Sequence, residues 1–249
     1  MKKVAIAAVL AAMTPMAAQA DLLFTVGAKA SVWDAEPTGQ LDDGISVEDD
    51  GLNLDSENGQ QLTVFFEHPV PLIPNVKLMR TSLEVEGEGN IDGEFAGTPF
   101  DEDVASTFDL SHNDLTLIWG LPLPIPFVDF NFGLTARQFD GVAEVTGAVA
   151  GTESVDLDFT MPLLYGEVKV DTPFGIYGQL DVNYIAYGDN EVQDLSYGIG
   201  YTLPIPLVDL GLEAGYRSLS LKTDEDLADI EADADIKGTY VGASLSVGF

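Results

Sequence analysis

The chain has 249 residues and 26.6 kDa, with 10 Lys and Arg against 42 Asp and Glu, for a formal charge of −32. A charge this negative repels a phosphate backbone, so nucleic acid is not an expected partner. With no cysteine and two histidines, disulfides, thiolate metal sites, a thiol nucleophile and a histidine-rich metal site are excluded.

Residues 1–20 read as a secretory signal peptide. Lys2 and Lys3 form the basic start, Val4 to Met13 the apolar stretch, and Ala18-Gln19-Ala20 the cleavage site before Asp21. The apolar stretch is too short for a membrane-spanning helix. Residues 21–249 then form one domain with 8 basic residues against 42 acidic ones.

That domain alternates with period two almost throughout, which predicts strands rather than helices. In chain order the strands fall near 22–33, 60–68, 76–87, 107–121, 129–140, 154–171, 176–187, 194–203, 208–222 and 237–249. Short apolar turns rich in proline separate them at 68–77, 121–129, 172–175 and 203–209, since proline cannot donate to a ladder. Longer acidic, Gly-rich segments separate them at 34–59, 88–106, 141–153, 188–193 and 223–236. Four turns at one end and five loops at the other give ten strands, or eight if strand ends are misread. An even count is what single-chain bacterial membrane barrels require.

Along 154–171 the apolar phase changes. Val155, Leu157, Phe159 and Met161 are odd, whereas Leu164, Gly166, Val168 and Val170 are even. An extra residue at Met161-Pro162-Leu163 would cause the change and predicts a bulge. Two short strands meeting there is the alternative.

At the C-terminus Val241, Ala243, Leu245, Val247 and Phe249 make one face, and Tyr240, Gly242, Ser244, Ser246 and Gly248 the other. A soluble sandwich would turn the apolar face inward; a barrel in lipid turns it outward. The glycines on the polar faces suit a crowded lumen. Tyr240, Val241, Leu245, Val247 and the closing Phe249 resemble the C-terminal assembly signal of Gram-negative outer-membrane barrels. Deleting Phe249 is therefore expected to lower the folded amount in the outer membrane while secretion continues. Undiminished folded protein on a semi-native gel would count against this assignment.

With its signal peptide, Pro-rich turns and acidic loops, the chain resembles the small outer-membrane β-barrels of Gram-negative bacteria. It looks most like a poorly characterised family of outer-membrane proteins of about its length. The resemblance implies an all-β, transmembrane, up-and-down antiparallel barrel in the outer membrane. It also implies contact with the barrel assembly machinery and with outer-membrane lipids and lipopolysaccharide. It supplies no catalytic residue and no cofactor.

Sending the apolar faces to lipid turns a charged set inward: Lys29, Glu67, Arg80, Glu84, Arg137, Glu167, Lys169, Asp181, Glu213 and Arg217, with His112 and Asp114. Carboxylates in a narrow lumen must be paired, so a lumenal ion network is expected, filling a barrel too small for an open channel. His112 and Asp114 share a strand face, but no nucleophile motif accompanies them and catalysis is not expected. The acidic segments 34–57 and 224–235 offer hard oxygen donors for Ca²⁺ or Mg²⁺, yet contain no EF-hand pattern. A solvated acidic surface, or diffuse divalent bridging to lipopolysaccharide, is expected instead. Trp119, Phe130 and Phe132 fit an aromatic girdle. The function implied is an integral outer-membrane barrel, structural or with a narrow pore. The alternative is a surface hydrolase of lipids or peptides, or a binding protein working through its loops.

Overall fold

A computed structural model describes residues 24–248 apart from 43, 49–50, 71, 189, 206–207 and 224–230. The signal peptide, Phe249 and part of the last acidic loop lie outside the described residues. Ten strands close on themselves: β1 (Thr25–Leu41), β3 (Glu57–Glu67), β4 (Asn75–Ser82), β7 (His112–Leu121), β8 (Val128–Phe139), β11 (Thr160–Asp171), β12 (Ile176–Tyr187), β13 (Asn190–Ile205), β14 (Val208–Thr223) and β15 (Ala232–Gly248). Each pairs antiparallel with the next, a short β2 (Ile45–Ser46) adds to β1, and β15 pairs with β1, so the barrel leaves no free edge. Val26↔Val247 and Ala28↔Leu245 fix the closing register.

Alternation follows the pleat. Outward-facing positions carry exposed apolar side chains, among them Val64, Leu115, Leu134, Leu164, Ile199 and Leu212. Inward positions hold small or polar residues toward the end with the Pro-rich turns. Glycine is required there by crowding: a Cβ on Gly198 would lie 2.7 Å from the Tyr240 hydroxyl.

The acidic end departs from the sequence expectation. Segments 88–106 and 141–153, expected as loops, belong to β5 (Glu84–Phe95), β6 (Thr98–Asp109), β9 (Gly141–Gly147) and β10 (Gly151–Leu157). These make a separate four-stranded antiparallel sheet in the order β10-β9-β6-β5. Its inner face buries Val85, Ile91, Phe95, Phe100, Val104, Phe108, Val145, Val155 and Leu157. Beneath it tuck Ile45, Val47 and Leu52, followed by Trp33, Phe139, Leu163, Leu219 and Ile236 on inward positions of the barrel. One apolar core therefore runs from the sheet into the upper lumen. Asp42 fastens the sheet's tip, its carboxylate accepting from the amides of Ala96 (2.9 Å) and Glu231 (2.9 Å).

Three strand assignments change in consequence, the first being 107–121, whose residues 107–109 end β6 in the separate sheet while β7 begins in the barrel at His112. The stretch 76–87 is two strands, β4 and β5, in different sheets, with buried Leu83 between them. The stretch 154–171 is also two, β10 and β11, and no bulge exists at Met161-Pro162-Leu163. The β11–β8 register runs unbroken from Thr160↔Gln138 to Val170↔Val128. The buried side keeps its odd parity through both strands, from Val155 and Leu157 to Met161, Leu163 and Tyr165, and the apolar face shifts at Leu164, where the exposed lipid-facing belt begins. The acidic segment beginning at 34 continues β1 as far as Leu41, with Trp33 and Ala35 fully buried.

Candidate functional site in the barrel interior

The inward positions stack in layers. Nearest the turns, Lys29 on β1 pairs with Glu213 on β14 at 2.5 Å, and Tyr177 on β12 donates to the same carboxylate at 3.0 Å. Beside it, Lys77 on β4 donates to the Tyr165 hydroxyl (2.8 Å) and lies 3.5 Å from Asp181. Glu167 accepts from Asn131 (2.6 Å) and Asp181 from Gln179 (2.6 Å), while the Tyr165 hydroxyl lies within hydrogen-bond distance of both carboxylates. Above them Thr116, Thr135 and Asn183 form a neutral chain with spacings of 2.9 and 2.6 Å.

The next layer is a charged network. Arg137 on β8 donates to both oxygens of Asp114 on β7 (2.8 and 2.7 Å) and to Asp194 on β13 (2.6 Å). Arg217 on β14 grips Asp194 with two further bonds (2.8 and 2.7 Å) and reaches Thr81 at 3.3 Å. Two guanidiniums and two carboxylates cancel in charge, and the bidentate geometry offsets desolvation. Arg137 is 0% exposed and Arg217 3%, so water does not reach this layer from either end. The Arg217 guanidinium lies 4.7 Å from the Trp33 ring centre, where the apolar core begins.

His112 sits in this layer, fully buried. Its Nδ1 donates to the Leu110 carbonyl (2.8 Å), which leaves Nε2 to accept from Arg217 (3.4 Å). Asp114 is committed to Arg137, and the Ser111 hydroxyl accepts from the Leu83 amide (3.2 Å). The three do not form a nucleophile–base–acid relay. Among the described residues, no group of three or more His, Asp and Glu side chains is placed to share a metal ion.

No protein-family model and no curated protein matches the chain. Solved structures do. The chain is similar to Ail, the attachment invasion locus protein of Yersinia pestis, in complex with the heparin analogue sucrose octasulfate. That likeness has 9% identity, covers 90% of this chain and 99% of that one, and has a TM-score of 0.40. Neisserial surface protein A is similar at 14% identity, with 91% and 97% covered and a TM-score of 0.34. The CymD monoaromatic hydrocarbon channel is similar at 10% identity, with 93% and 90% covered and a TM-score of 0.32. No residue role is carried over from them. The pairing of ten strands into a closed barrel, with an apolar exterior and a charged interior, is by itself that of a transmembrane β-barrel.

Of the residues expected inside, Lys29, Glu167, Asp181 and Glu213 lie in the layers nearest the turns. Arg137 and Arg217, with Asp114, lie in the central network. Lys169 and Glu67 are in the inward phase but at the rim, Lys169 lying 3.4 Å from Asp171 and Glu67 being exposed. Two expectations are corrected. Arg80 faces outward, directly opposite exposed Leu62, and its partner is Asp140 on the surface at 3.6 Å. It stands where the apolar belt ends, so its stem can lie on the belt while the guanidinium reaches polar surroundings. Glu84 is not lumenal at all; it is exposed on β5, opposite Asp109 in the outer sheet.

Sequence reasoning missed Lys77, Tyr165 and Asp194. Lys77 lies between outward Val76 and Leu78, a legible signal that the neighbouring Arg80 obscured. Asp194 shares parity with inward Ser196, Gly198 and Gly200, but stands at the very start of its predicted strand, where phase is least defined.

Proposed function

We propose that the protein is a closed, non-conducting barrel of the Gram-negative outer membrane that serves as a rigid mount for an acidic extracellular β-sheet. The carrying observation is the double seal of its interior: the buried Arg137–Asp114–Asp194–Arg217 layer, and above it the core of Trp33, Phe139, Leu163, Leu219 and Ile236. A conducting lumen needs a continuous wetted path, and these two layers replace it with paired charges and packed apolar side chains. The acidic end faces outside and the Pro-rich turns face the periplasm.

Purified protein in planar bilayers should show no stable conductance steps, whereas steady single-channel steps for the unaltered protein would overturn the closed-barrel reading. A second reading, display of a binding surface, is favoured by the outer face of the sheet. Glu84, Glu86, Glu88, Asp92, Glu94, Asp101, Asp103, Glu144 and Asp156 are exposed on it. No Lys or Arg occurs between Arg80 and Arg137 or between Arg137 and Lys169. Such a face would attract cations, including those that bridge to lipopolysaccharide. Insertion would depend on the barrel assembly machinery.

A further inference from the structure

The apolar belt is uneven in height. On β13 the outward positions from Leu195 to Ile205 are Leu, Tyr197, Ile199, Tyr201, Leu203 and Ile, which is about 33 Å of strand. On β4 the belt is Val76 and Leu78, with polar Arg80 beyond, or only about 7 Å. On neighbouring β3 it runs from Leu62 to Phe66, about 13 Å. A membrane barrel needs an apolar band about 25 Å tall all the way round. The strands alone do not provide it here.

The turn between β3 and β4 lies where the belt is short. It bears Val70, Leu72 and Ile73 at 45%, 92% and 57% exposure. It does not project freely away from the barrel. His68 ties it across its base, its amide donating to the Asn75 side chain (2.9 Å) and its Nε2 lying 3.2 Å from the Pro74 carbonyl. On the neighbouring strand, the Trp119 indole donates to the Leu72 carbonyl at 3.2 Å. Trp119 stacks on outward Phe132 with ring centres 6.0 Å apart, and Phe132 is 48% exposed on the lipid face. The ladder between β4 and β7 ends at Asn75↔Ile118, so the turn is level with Trp119 and Leu121, which are still part of the belt.

We infer that this turn is seated in the membrane, where Val70, Leu72 and Ile73 complete the lipid-facing belt beneath its short stretches on β3 and β4. The partner is the acyl-chain border of the adjacent leaflet. Continuity with Trp119 and Phe132 carries the assignment, because the turn and those rings share one exposed surface. Its backbone is secured by His68, Asn75 and Trp119, as a segment entering an apolar phase requires.

The inference rests on the membrane reading, and the test separates the two. Because the chain lacks cysteine, single-cysteine variants can carry a nitrobenzoxadiazole probe. Leu72→Cys and Ile73→Cys report the turn, Leu115→Cys the belt and Asp92→Cys the outer sheet. In phosphatidylethanolamine–phosphatidylglycerol vesicles, the Leu115 probe should be quenched by nitroxide lipids and the Asp92 probe by aqueous iodide. The turn probes should follow Leu115, losing about half their emission to shallow nitroxide lipids, as expected at the acyl border. Iodide quenching equal to that of Asp92 would overturn the inference and place the turn in water. Shielding from both quenchers would also overturn it, showing a second copy or another protein over the turn. A Leu115 probe outside the lipid would instead reject the membrane reading itself.

Discussion

Arg137→Ala should lower the stability of the folded barrel by roughly 3–5 kcal/mol, the cost of breaking a fully buried ion pair. The guanidinium is 0% exposed and supplies three hydrogen bonds to two carboxylates. Without it the Asp114 carboxyl is left buried with no cation beside it. Arg217 cannot substitute, because its Nε and one terminal nitrogen are already on Asp194. Heat-modifiable migration on a gel reads the effect as a lower temperature for loss of the folded band. Leu134→Ala, which trims an exposed side chain on the lipid face, is the control and should shift it little. Pairing Arg137→Ala with Asp114→Asn should recover part of the loss, because the orphaned charge is gone. If Arg137→Ala melts with the unaltered protein, the central layer is not a buried network.

Phe95→Ala should release the outer sheet while leaving the barrel closed. Phe95 is 0% exposed and meets Phe108 edge-on, with ring centres 6.3 Å apart. Removing a ring from such a site costs about 3–5 kcal/mol. Phe95 lies at the centre of the apolar core that holds the sheet over the barrel, next to the tip that Asp42 fastens. The sheet's ladder is separate from that of the barrel, joined through the 51–55 segment by bonds such as Asp55 N to Glu86 O (2.8 Å). Like charges also face one another directly across its strands, at Glu84↔Asp109 and Asp92↔Asp101, and such pairs destabilise a sheet. Protease added to whole cells should therefore cut the variant within 84–109 or 141–157 and spare the unaltered protein. Cutting should weaken as ionic strength rises, since salt screens the repulsion between carboxylates. Resistance of Phe95→Ala equal to that of the unaltered protein would show that the apolar core does not secure the sheet.

By itself the sequence determined the barrel. Period-two alternation, interrupted by four Pro-rich turns, located all ten barrel strands, because pleat and proline act locally and need no knowledge of the partner strand. It also identified the inward phase of Arg137, Asp114, Arg217 and Glu213, where alternation is clean. Only the tertiary structure decided which sheet a strand joins. Glu84-Val85-Glu86 continues the alternation of β4, and Val155 and Leu157 alternate like the strand that follows them. A soluble sheet burying its apolar face has the same period as a membrane strand exposing one. Arg80 departs from the inward position for a related reason. Charge alone is no sign of the lumen, because a long side chain at the edge of the belt can face outward and reach polar surroundings. The apolar plug of Trp33, Leu163, Leu219 and Ile236 was hidden likewise, since what fills an inward position depends on what covers the barrel's end. That cover is a sheet assembled from two loops far apart in sequence, a contact that no local pattern encodes.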